Sequence, residues 1–336
     1  MGGLTQGFCD ESSASVETLP YTDSSSPVTV VVICFNHQRF LDQSFQGVQS
    51  QTARPCHLIV VDDRSSDRSQ QLITDRLGKE SGRITMLLHQ ENRGLTRTLN
   101  ECLALVDSEF VAFIAADDWM EPDRLRLQVA EFERRDERCA AVHSDLYLAD
   151  EQGHRLPGTV LAEEGGRRDG DLFVESIPRC ALKAPSVLLR TSAVRELGGY
   201  DESIPMEDYD LWLRLTRTFE VGYVDRPLVN YRVVSTSMSN TTDRWEFREW
   251  HIPSLFKHVD AGGFRGEAIR TRLQHLVKVL YFRGREPDQT RRDLSRLLRS
   301  RVNAEVIVLY VAAVMRVPGP MLASGYRMVS RALRKG

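Results

Sequence analysis

The 336-residue chain lacks the short motifs that mark several large enzyme classes. No G-x-G-x-x-G follows its first apolar run, which argues against a dinucleotide-binding oxidoreductase. No G-x-x-x-x-G-K-[ST] occurs either, which argues against a P-loop NTPase. Its eight histidines form no H-E-x-x-H and show no zinc-ligand spacing. A diphosphate bound by this chain would therefore need a metal ion and arginine side chains instead of a glycine-rich cradle.

The chain also has few cysteines and no long apolar run. Its six cysteines include no C-x-x-C pair, and we interpret them as reduced core residues of a cytosolic protein. Residues 1–27 lack the basic and apolar regions of a signal peptide, so we expect a flexible leader there. The apolar run at 306–315 is far shorter than the roughly 20 residues that a membrane-spanning helix needs.

Charge is distributed unevenly along the chain. Residues 264–336 carry 16 Lys+Arg against 5 Asp+Glu, a net charge of +11, which leaves −14 for the remainder. With the apolar run at 306–315, this basic region predicts an interfacial helix in peripheral contact with anionic lipid. The alternative is a helical cap with a solvated basic face. We expect no nucleic-acid partner.

Apolar runs alternate with amphipathic segments in the first part of the chain. A continuous β-branched run predicts a buried strand at 28–35, and further apolar runs predict strands at 57–61, 84–89 and 110–115. Between and after them, helical spacing predicts helices at 39–51, 68–77, 96–106 and 123–134. This alternation predicts an α/β fold with a doubly wound, mostly parallel sheet, which binds its ligands at the carboxyl ends of the strands.

The later part of the chain is less regular. We expect strands at 139–148 and within 221–231, and a mobile glycine-rich loop at 153–170. We also expect a short helix at 191–197 that Gly198 and Gly199 close, and a helix with an acidic start at 207–216. After residue 240 the pattern is helical only, with candidate helices at 244–259, 266–283, 289–301 and 304–316.

Two acidic pairs directly follow predicted buried strands. Asp62-Asp63 follows the second strand and Asp117-Asp118 follows the fourth. Carboxylates that are close together and partly desolvated are costly unless a cation joins them, and a divalent metal bound through oxygens is the usual solution. The alternative is that each pair caps the helix after it.

Eight short motifs stand in a fixed order between residues 28 and 239. They read V-V-I-C-F-N-H, Q-S-Q-T, L-I-V-V-D-D-R-S-S-D, N-R-G-L-T-R-T-L-N, F-I-A-A-D-D-W-M-E-P-D-R-L, L-G-G-Y-D-E, M-E-D-Y-D-L-W-L-R-L and Y-R-V-V-S-T-S-M-S. Together they resemble the inverting glycosyltransferases of family 2, which have the GT-A fold. The resemblance covers about two thirds of the chain. It implies a GT-A domain at 28–240 and a helical, basic region at 241–336.

The resemblance implies roles for individual positions. Asp118, beside Asp117, would be the direct ligand of Mg²⁺ or Mn²⁺, and Asp208, beside Glu207, would be the catalytic base. The nucleotide-sugar would be bound by Phe35, Asn36, Asp62, Asp63, Asn92, Gly94, Arg97, Asp117, Gly198, Gly199 and Arg232. The chain departs from the family at Ala115, where an acidic residue is common, and at Val234, where a histidine is common.

The expected activity is transfer of a sugar from a nucleoside-diphosphate sugar to a hydroxyl of a glycan or lipid-linked acceptor. The resemblance favours a UDP-sugar donor and a role in polysaccharide biosynthesis. From the cysteines we expect a cytoplasmic location, and the basic C-terminal region would place any membrane contact at the inner face. Two alternatives remain open. A sugar-1-phosphate nucleotidyltransferase would want a basic, glycine-rich loop after the first strand, which 34–38 is not. A non-catalytic nucleotide-sugar binder is compatible with Ala115 and Val234.

Overall fold

The computed structural model describes residues 15–19, 26–78, 82–163, 168–235, 242–300 and 302–324. The chain divides into two compact units. The first comprises Met1–Asp171, Leu182–Glu202 and Thr218–Val234. The second comprises Leu172–Ala181, Ser203–Arg217 and Ser235–Gly336. The second unit thus includes two segments that the sequence assigned to the catalytic domain, while the expected boundary at residue 240 falls outside the described residues.

One sheet organises the described part of the first unit. Its strands are β1 (Ser15–Leu19), β2 (Ser26–Cys34), β3 (Pro55–Asp62), β4 (Ile84–Leu88), β5 (Phe110–Ala115), β6 (Trp119–Met120), β7 (Cys139–Ala149), β8 (Leu188–Arg190) and β9 (Glu220–Arg232). Their order across the sheet is β1-β4-β3-β2-β5-β8-β7-β9-β6.

The centre of the sheet is parallel. Strands β4, β3, β2 and β5 run in one direction, and Val30, Val31 and Val60 are fully buried. The predicted α/β fold is confirmed here, because β-branched runs covered on both faces suit parallel strands. Strand β8 pairs antiparallel with β5 and β7, while β7 and β9 are parallel to each other.

The prediction of a flexible leader at 1–27 is wrong for part of that segment. Ser15–Leu19 forms the edge strand β1 and pairs antiparallel with Ile84–Leu88, and β2 already begins at Ser26. Main-chain hydrogen bonds suffice for such an edge strand, so it needs no apolar run that a sequence pattern would reveal. Residues 1–14 and 20–25 lie outside the described residues.

The helices that the sequence predicts are confirmed, with ends that differ by a few residues. They are α1 (Leu41–Gln49), α2 (Ser69–Leu77), α3 (Leu95–Leu105), α4 (Arg124–Glu133), α5 (Val160–Glu163), α6 (Phe173–Ser176), α7 (Thr191–Glu196), α8 (Glu207–Thr218), α9 (Arg244–Phe256), α10 (Gly263–Phe282), α11 (Pro287–Leu298) and α12 (Ala304–Val314). The short helices α5 and α6 were not predicted.

Helices build the core of the second unit. Tyr209 and Leu213 of α8 lie in one apolar cluster with side chains of α6 and of α9 to α12. This shared core explains why α8 belongs with the C-terminal helices and not with the sheet. In the described part of the chain, no helix combines the length and the apolar character needed to cross a bilayer. The basic residues at 327–335 lie outside that part.

Candidate active site

The turn after β2 is tied to the turn after β3 by hydrogen bonds. Asn36 has a left-handed backbone with φ 58°, its N–H donates to Ser65 Oγ at 2.8 Å, and its Oδ1 accepts from the N–H of Ser66 at 2.8 Å. The fully buried carboxylate of Asp62 accepts from the N–H and the hydroxyl of Ser65. Asp62 thereby orders the turn that holds Asn36, while Phe35 beside it is 48% exposed.

A polar pocket opens beside this second turn. It is lined by Arg64, Ser65, Ser66, Asp67, Arg68, Gln70 and Gln71. Among these residues, Arg64 is exposed and has a left-handed backbone with φ 63°. The motif D-D-R-S-S-D marked this turn, but the sequence alone assigned a role only to its first two residues.

Asp63 organises the segment that leads into α3. Its Oδ1 accepts from the N–H of Arg93 at 2.8 Å, and its Oδ2 accepts from the N–H of Gly94 at 2.9 Å. Its carbonyl oxygen accepts from Asn92 Nδ2 at 3.0 Å. The structure thus brings together three residues predicted to bind the nucleotide, Asp63, Asn92 and Gly94. A further predicted residue, Arg97, is exposed on α3.

A buried histidine lies behind Asp63. The ring of His89, which directly follows β4, is fully buried, with Nδ1 2.8 Å from Asp63 Oδ1 and Nε2 3.0 Å from Glu101 Oε2. Glu101 also pairs with the guanidinium of Arg93. The sequence analysis missed this network. Its signal would have been an ionisable residue at the carboxyl end of β4, the position that already marked Asp63 on β3.

The two carboxylates after β5 have different environments. Asp118 is 2% exposed, and its Oδ1 accepts from the N–H of Arg232 at 2.8 Å. Burial, reinforced by the neighbouring Asp117 carboxylate, raises the pKa of Asp118 well above its usual range. The Asp117 side chain is 14% exposed, and its Oδ2 lies 3.8 Å from His37 Nε2. Asp117 is therefore the more accessible carboxylate, and His37 is a neighbour that the sequence analysis missed.

Arg232, at the end of β9, is held by the protein itself. Its Nε donates to the carbonyl of Asp117 at 2.8 Å and its Nη1 to the carbonyl of Glu151 at 2.9 Å. The guanidinium also lies 4.6 Å from the ring centre of Phe40 and 4.8 Å from that of Trp119. Because Arg232 is almost fully buried, these contacts support a positioning role in place of the expected contact with a diphosphate.

The side chains around Asp117 supply only part of a binding site for a divalent cation. Over the described ranges, no group of three or more His, Cys, Asp or Glu side chains could hold an ion. Mg²⁺ is commonly bound through one or two carboxylates together with substrate phosphates, so a complete protein cage is not required. The accessible oxygen of Asp117 fits that mode, whereas Ala115 contributes no ligand.

The paired glycines after α7 pack against α3. Gly198 and Gly199 have φ 82° and 73°, and a Cβ at Gly199 would lie 2.8 Å from Asn100 Oδ1. That oxygen accepts from the N–H of Tyr200, and Asn100 Nδ2 donates to the carbonyl of Tyr200, both at 2.9 Å. The close approach that requires glycine at 199 is thus to a side chain of α3.

The third acidic pair lies in the second unit, at the start of α8. Burial, reinforced by the adjacent carboxylate of Asp208, raises the pKa of Glu207 to about 7. Asp208 Oδ1 accepts from the N–H of Tyr209 at 2.6 Å. One turn into the helix, the fully buried Asp210 accepts from Lys257 Nζ at 2.6 Å. The Asp210 carboxylate is therefore paired with the ammonium group of Lys257. Glu207, by contrast, has a carboxyl whose pKa lies near neutral pH.

Sequence comparisons place this site in a known family. The profile described as Glycosyl transferase family 2 matches residues 29–182. EpsE of Bacillus subtilis (strain 168), named as a glycosyltransferase, is 30% identical over 208 residues, which cover 60% of this chain and 69% of that protein. A glycosyltransferase of Rickettsia typhi is 25% identical over 222 residues, which cover 64% of this chain and 66% of that protein.

Solved structures show the same fold at lower identity. The crystal structure of S. aureus TarS 1–349 in complex with UDP-GlcNAc has a TM-score of 0.63 at 15% identity, and the match covers 92% of each chain. The mannosyltransferase PcManGT from Pyrobaculum calidifontis, in complex with GDP-Man and Mn²⁺, has a TM-score of 0.53 at 14% identity. That match covers 90% of this chain and 85% of the other. At such identities the likeness is one of fold.

Proposed function

The chain belongs to glycosyltransferase family 2, and we propose that it transfers a sugar, with inversion, from a nucleoside-diphosphate sugar to an acceptor hydroxyl. A UDP-sugar is the expected donor, and a glycan or a lipid-linked glycan is the expected acceptor. One observation carries the proposal. Asp63 and Asp117 follow β3 and β5, the two strands that flank β2, at the edge where a parallel sheet binds its ligands.

The nucleotide would be bound by the turns after β2 and β3. Asn36 and the Ser65–Ser66 turn lock each other in place, and Phe35 presents a half-exposed aromatic ring beside them. An exposed ring next to fixed polar groups suits a nucleobase, which has an apolar face and a polar edge. Arg97, exposed on α3, offers a guanidinium to the phosphates.

A divalent cation, Mg²⁺ or Mn²⁺, would be held by Asp117 and by donor phosphate oxygens. We propose Asp117 over Asp118 as the direct ligand, because the Asp118 carboxyl is buried and already bonded to the main chain of Arg232. Bound there, the cation would offset the charge that develops on the departing diphosphate. Arg232 positions the Asp117 loop through its bond to the Asp117 carbonyl.

The catalytic base would be Asp208, with Glu207 beside it. Asp208 would take the proton of the acceptor hydroxyl, whose oxygen attacks the anomeric carbon from the face opposite the diphosphate. Proton transfer to a positioned base contributes typically about 10²–10⁴-fold to the rate. Glu207, whose pKa is raised to about 7, keeps a second, partly neutral carboxyl next to this base.

Donor binding and donor hydrolysis across a panel of nucleotide-sugars test the proposal. Each donor would be measured with Mn²⁺, with Mg²⁺ and with EDTA, for the wild type, for Asp208→Asn and for Glu267→Gln as a control. Glu267 lies on the exposed surface of α10, so its substitution removes a carboxylate away from the proposed chemistry. We expect metal-dependent binding of one donor, and hydrolysis that drops at least about 100-fold in Asp208→Asn only. If no donor bound under any metal condition, the proposal would fail.

A second candidate, a non-catalytic nucleotide-sugar binder, is favoured by one observation. Ala115 supplies no carboxylate at the position where the family often has one, and the described residues around it form no three-ligand group. This candidate predicts donor binding without turnover, even when an acceptor is present. A nucleotidyltransferase would instead form nucleotide-sugar and pyrophosphate from sugar 1-phosphate and a nucleoside triphosphate. Parallel reactions with an acceptor and with these two substrates therefore separate the three candidates.

A further inference from the structure

Helix α12 (Ala304–Val314) is apolar on two sides but buried on only one. Its buried side contributes Val306, Leu309, Ala312 and Ala313 to the apolar core of the second unit. Its other side and the residue after it are between 44% and 71% exposed, namely Ile307, Val308, Val311, Val314 and Met315. We call these five residues the outer face of α12. A surface helix of a globular protein normally carries polar residues on its outer side.

The outer face is continuous. At 3.6 residues per turn, its five side chains fall within an arc of about 120° around the helix axis. Single exposed apolar residues are ordinary on protein surfaces, but a contiguous apolar stripe marks a surface that another body covers. The stripe includes no acidic side chain. The one acidic residue of α12, Glu305, is engaged by Lys278 and Gln274 of α10.

Charge indicates what covers this face. Residues 264–336 have a net charge of +11, and exposed arginines stand on either side of the helix, at Arg299 and Arg316. A second copy of the chain would bring an equal positive charge against the first, which disfavours self-association through this region. An anionic lipid surface has the opposite charge and an apolar interior, so it matches both features of the helix.

We propose that the outer face of α12 docks on an anionic bilayer surface. Ile307, Val308 and Val311 would enter the boundary between headgroups and acyl chains, while the flanking arginines would contact the headgroups. The helix has 11 residues and is about 17 Å long at 1.5 Å per residue, so it lies along the interface and does not cross the roughly 30 Å hydrocarbon core. This proposal does not depend on which donor or acceptor the chain uses.

The test is flotation of the full chain with lipid vesicles. Vesicles of phosphatidylcholine alone are compared with vesicles that also contain phosphatidylglycerol, at low and high salt. The variant Val308→Ser/Val311→Ser removes the centre of the outer face, and Phe264→Ser is the matched control, because Phe264 is 71% exposed at the start of α10. Thermal unfolding and circular dichroism confirm that both variants fold.

We expect the wild type to float with the anionic vesicles only, and less so at high salt. The double variant should bind at least about tenfold more weakly, and Phe264→Ser should bind as the wild type does. The proposal is overturned if the wild type does not bind anionic vesicles, or if the double variant binds equally well. It is also overturned if light scattering shows a wild-type dimer that the double variant dissociates, because the face would then pair with itself.

Discussion

His89 Nδ1 lies 2.8 Å from Asp63 Oδ1, and the two residues stand at the carboxyl ends of the adjacent strands β4 and β3. The same carboxylate accepts the N–H groups of Arg93 and Gly94, so the position of the histidine fixes the segment that starts α3. On the far side of the ring, Nε2 lies 3.0 Å from Glu101 Oε2. His89 therefore acts on the proposed nucleotide site through Asp63, as a positioning residue.

Replacing His89 with leucine should disturb both stability and donor affinity. It removes one hydrogen-bond partner of the buried Asp63 carboxylate, which costs about 1–3 kcal/mol in unfolding free energy. We expect KM for the donor to rise several-fold with a smaller change in kcat. Urea unfolding and steady-state kinetics measure the two effects.

The control for this variant is His57→Leu. His57 is also buried, but it lies in the first half of β3 and bonds to Thr85 Oγ1 at 2.9 Å. Its loss should lower the unfolding free energy by about 1–3 kcal/mol and leave donor KM unchanged. An equal rise of KM in both variants would show that the His89 effect is a general loss of stability.

Asp117→Asn and Asp118→Asn should separate metal binding from folding. Asp117 is the accessible carboxylate, so its loss should weaken Mn²⁺-dependent donor binding at least tenfold while unfolding changes little. Asp118 is buried and its Oδ1 accepts from the N–H of Arg232, a bond that asparagine can keep, so Asp118→Asn should leave metal affinity within a few-fold of the wild type. Calorimetric titration of Mn²⁺ with donor present is the measurement. If Asp118→Asn weakened Mn²⁺-dependent donor binding more than Asp117→Asn did, Asp118 would be the direct ligand.

Glu207→Gln should remove a pH dependence of stability. The pKa of Glu207 is raised from 4.5 to about 7, so folding favours its neutral form. This contribution to stability is fully present below pH 4.5 and is lost as the pH rises through 7. The unfolding free energy of the wild type minus that of the variant should therefore fall by up to about 3 kcal/mol across that range. The fall is smaller to the extent that Asp208 takes part in the same titration. Urea unfolding at several pH values measures it, and a flat difference would contradict the assignment.

Gly199→Ala should destabilise the first unit more than Gly198→Ala. Both positions have a left-handed backbone, which costs a non-glycine residue about 1–2 kcal/mol. Only at Gly199 would the added Cβ also meet Asn100 Oδ1 at 2.8 Å, whereas at Gly198 it meets nothing within 4 Å. We expect a further loss of about 1 kcal/mol or more for Gly199→Ala, measured as the difference between the two midpoints of thermal unfolding. Equal midpoints would mean that the Asn100 side chain moves aside.

The sequence predicted the centre of the sheet well, because buried parallel strands need continuous apolar runs. The runs around Val30, Val60 and Val111 lie where expected, and acidic pairs follow the runs around Val60 and Val111. The sequence did not predict the strands that join the sheet mainly through main-chain hydrogen bonds. Ser15–Leu19 and the three-residue β8 (Leu188–Arg190) have no pattern long enough to identify, yet both join the sheet.

The site was predictable as positions but not as roles. Asp117 and Asp118 are chemically identical in the sequence, and only their burial distinguishes them. Arg232 illustrates the same limit, since a lone arginine after a strand can serve a ligand or the fold. Its partners lie at sequence separations of 81 to 189 residues, which no local pattern reveals.

Those long separations also determine when the site can form. Arg232 comes from the last strand of the first unit, and its side chain joins Gln43 on α1 to the carbonyls of Asp117 and Glu151. During synthesis, the segments after β5 and β7 leave the ribosome long before the residue that fastens them. The loop that carries Asp117 at the proposed cation site therefore becomes fixed only late in synthesis. A fragment that ends before β9 would keep most of the parallel strands but would lack the arginine that fixes Asp117.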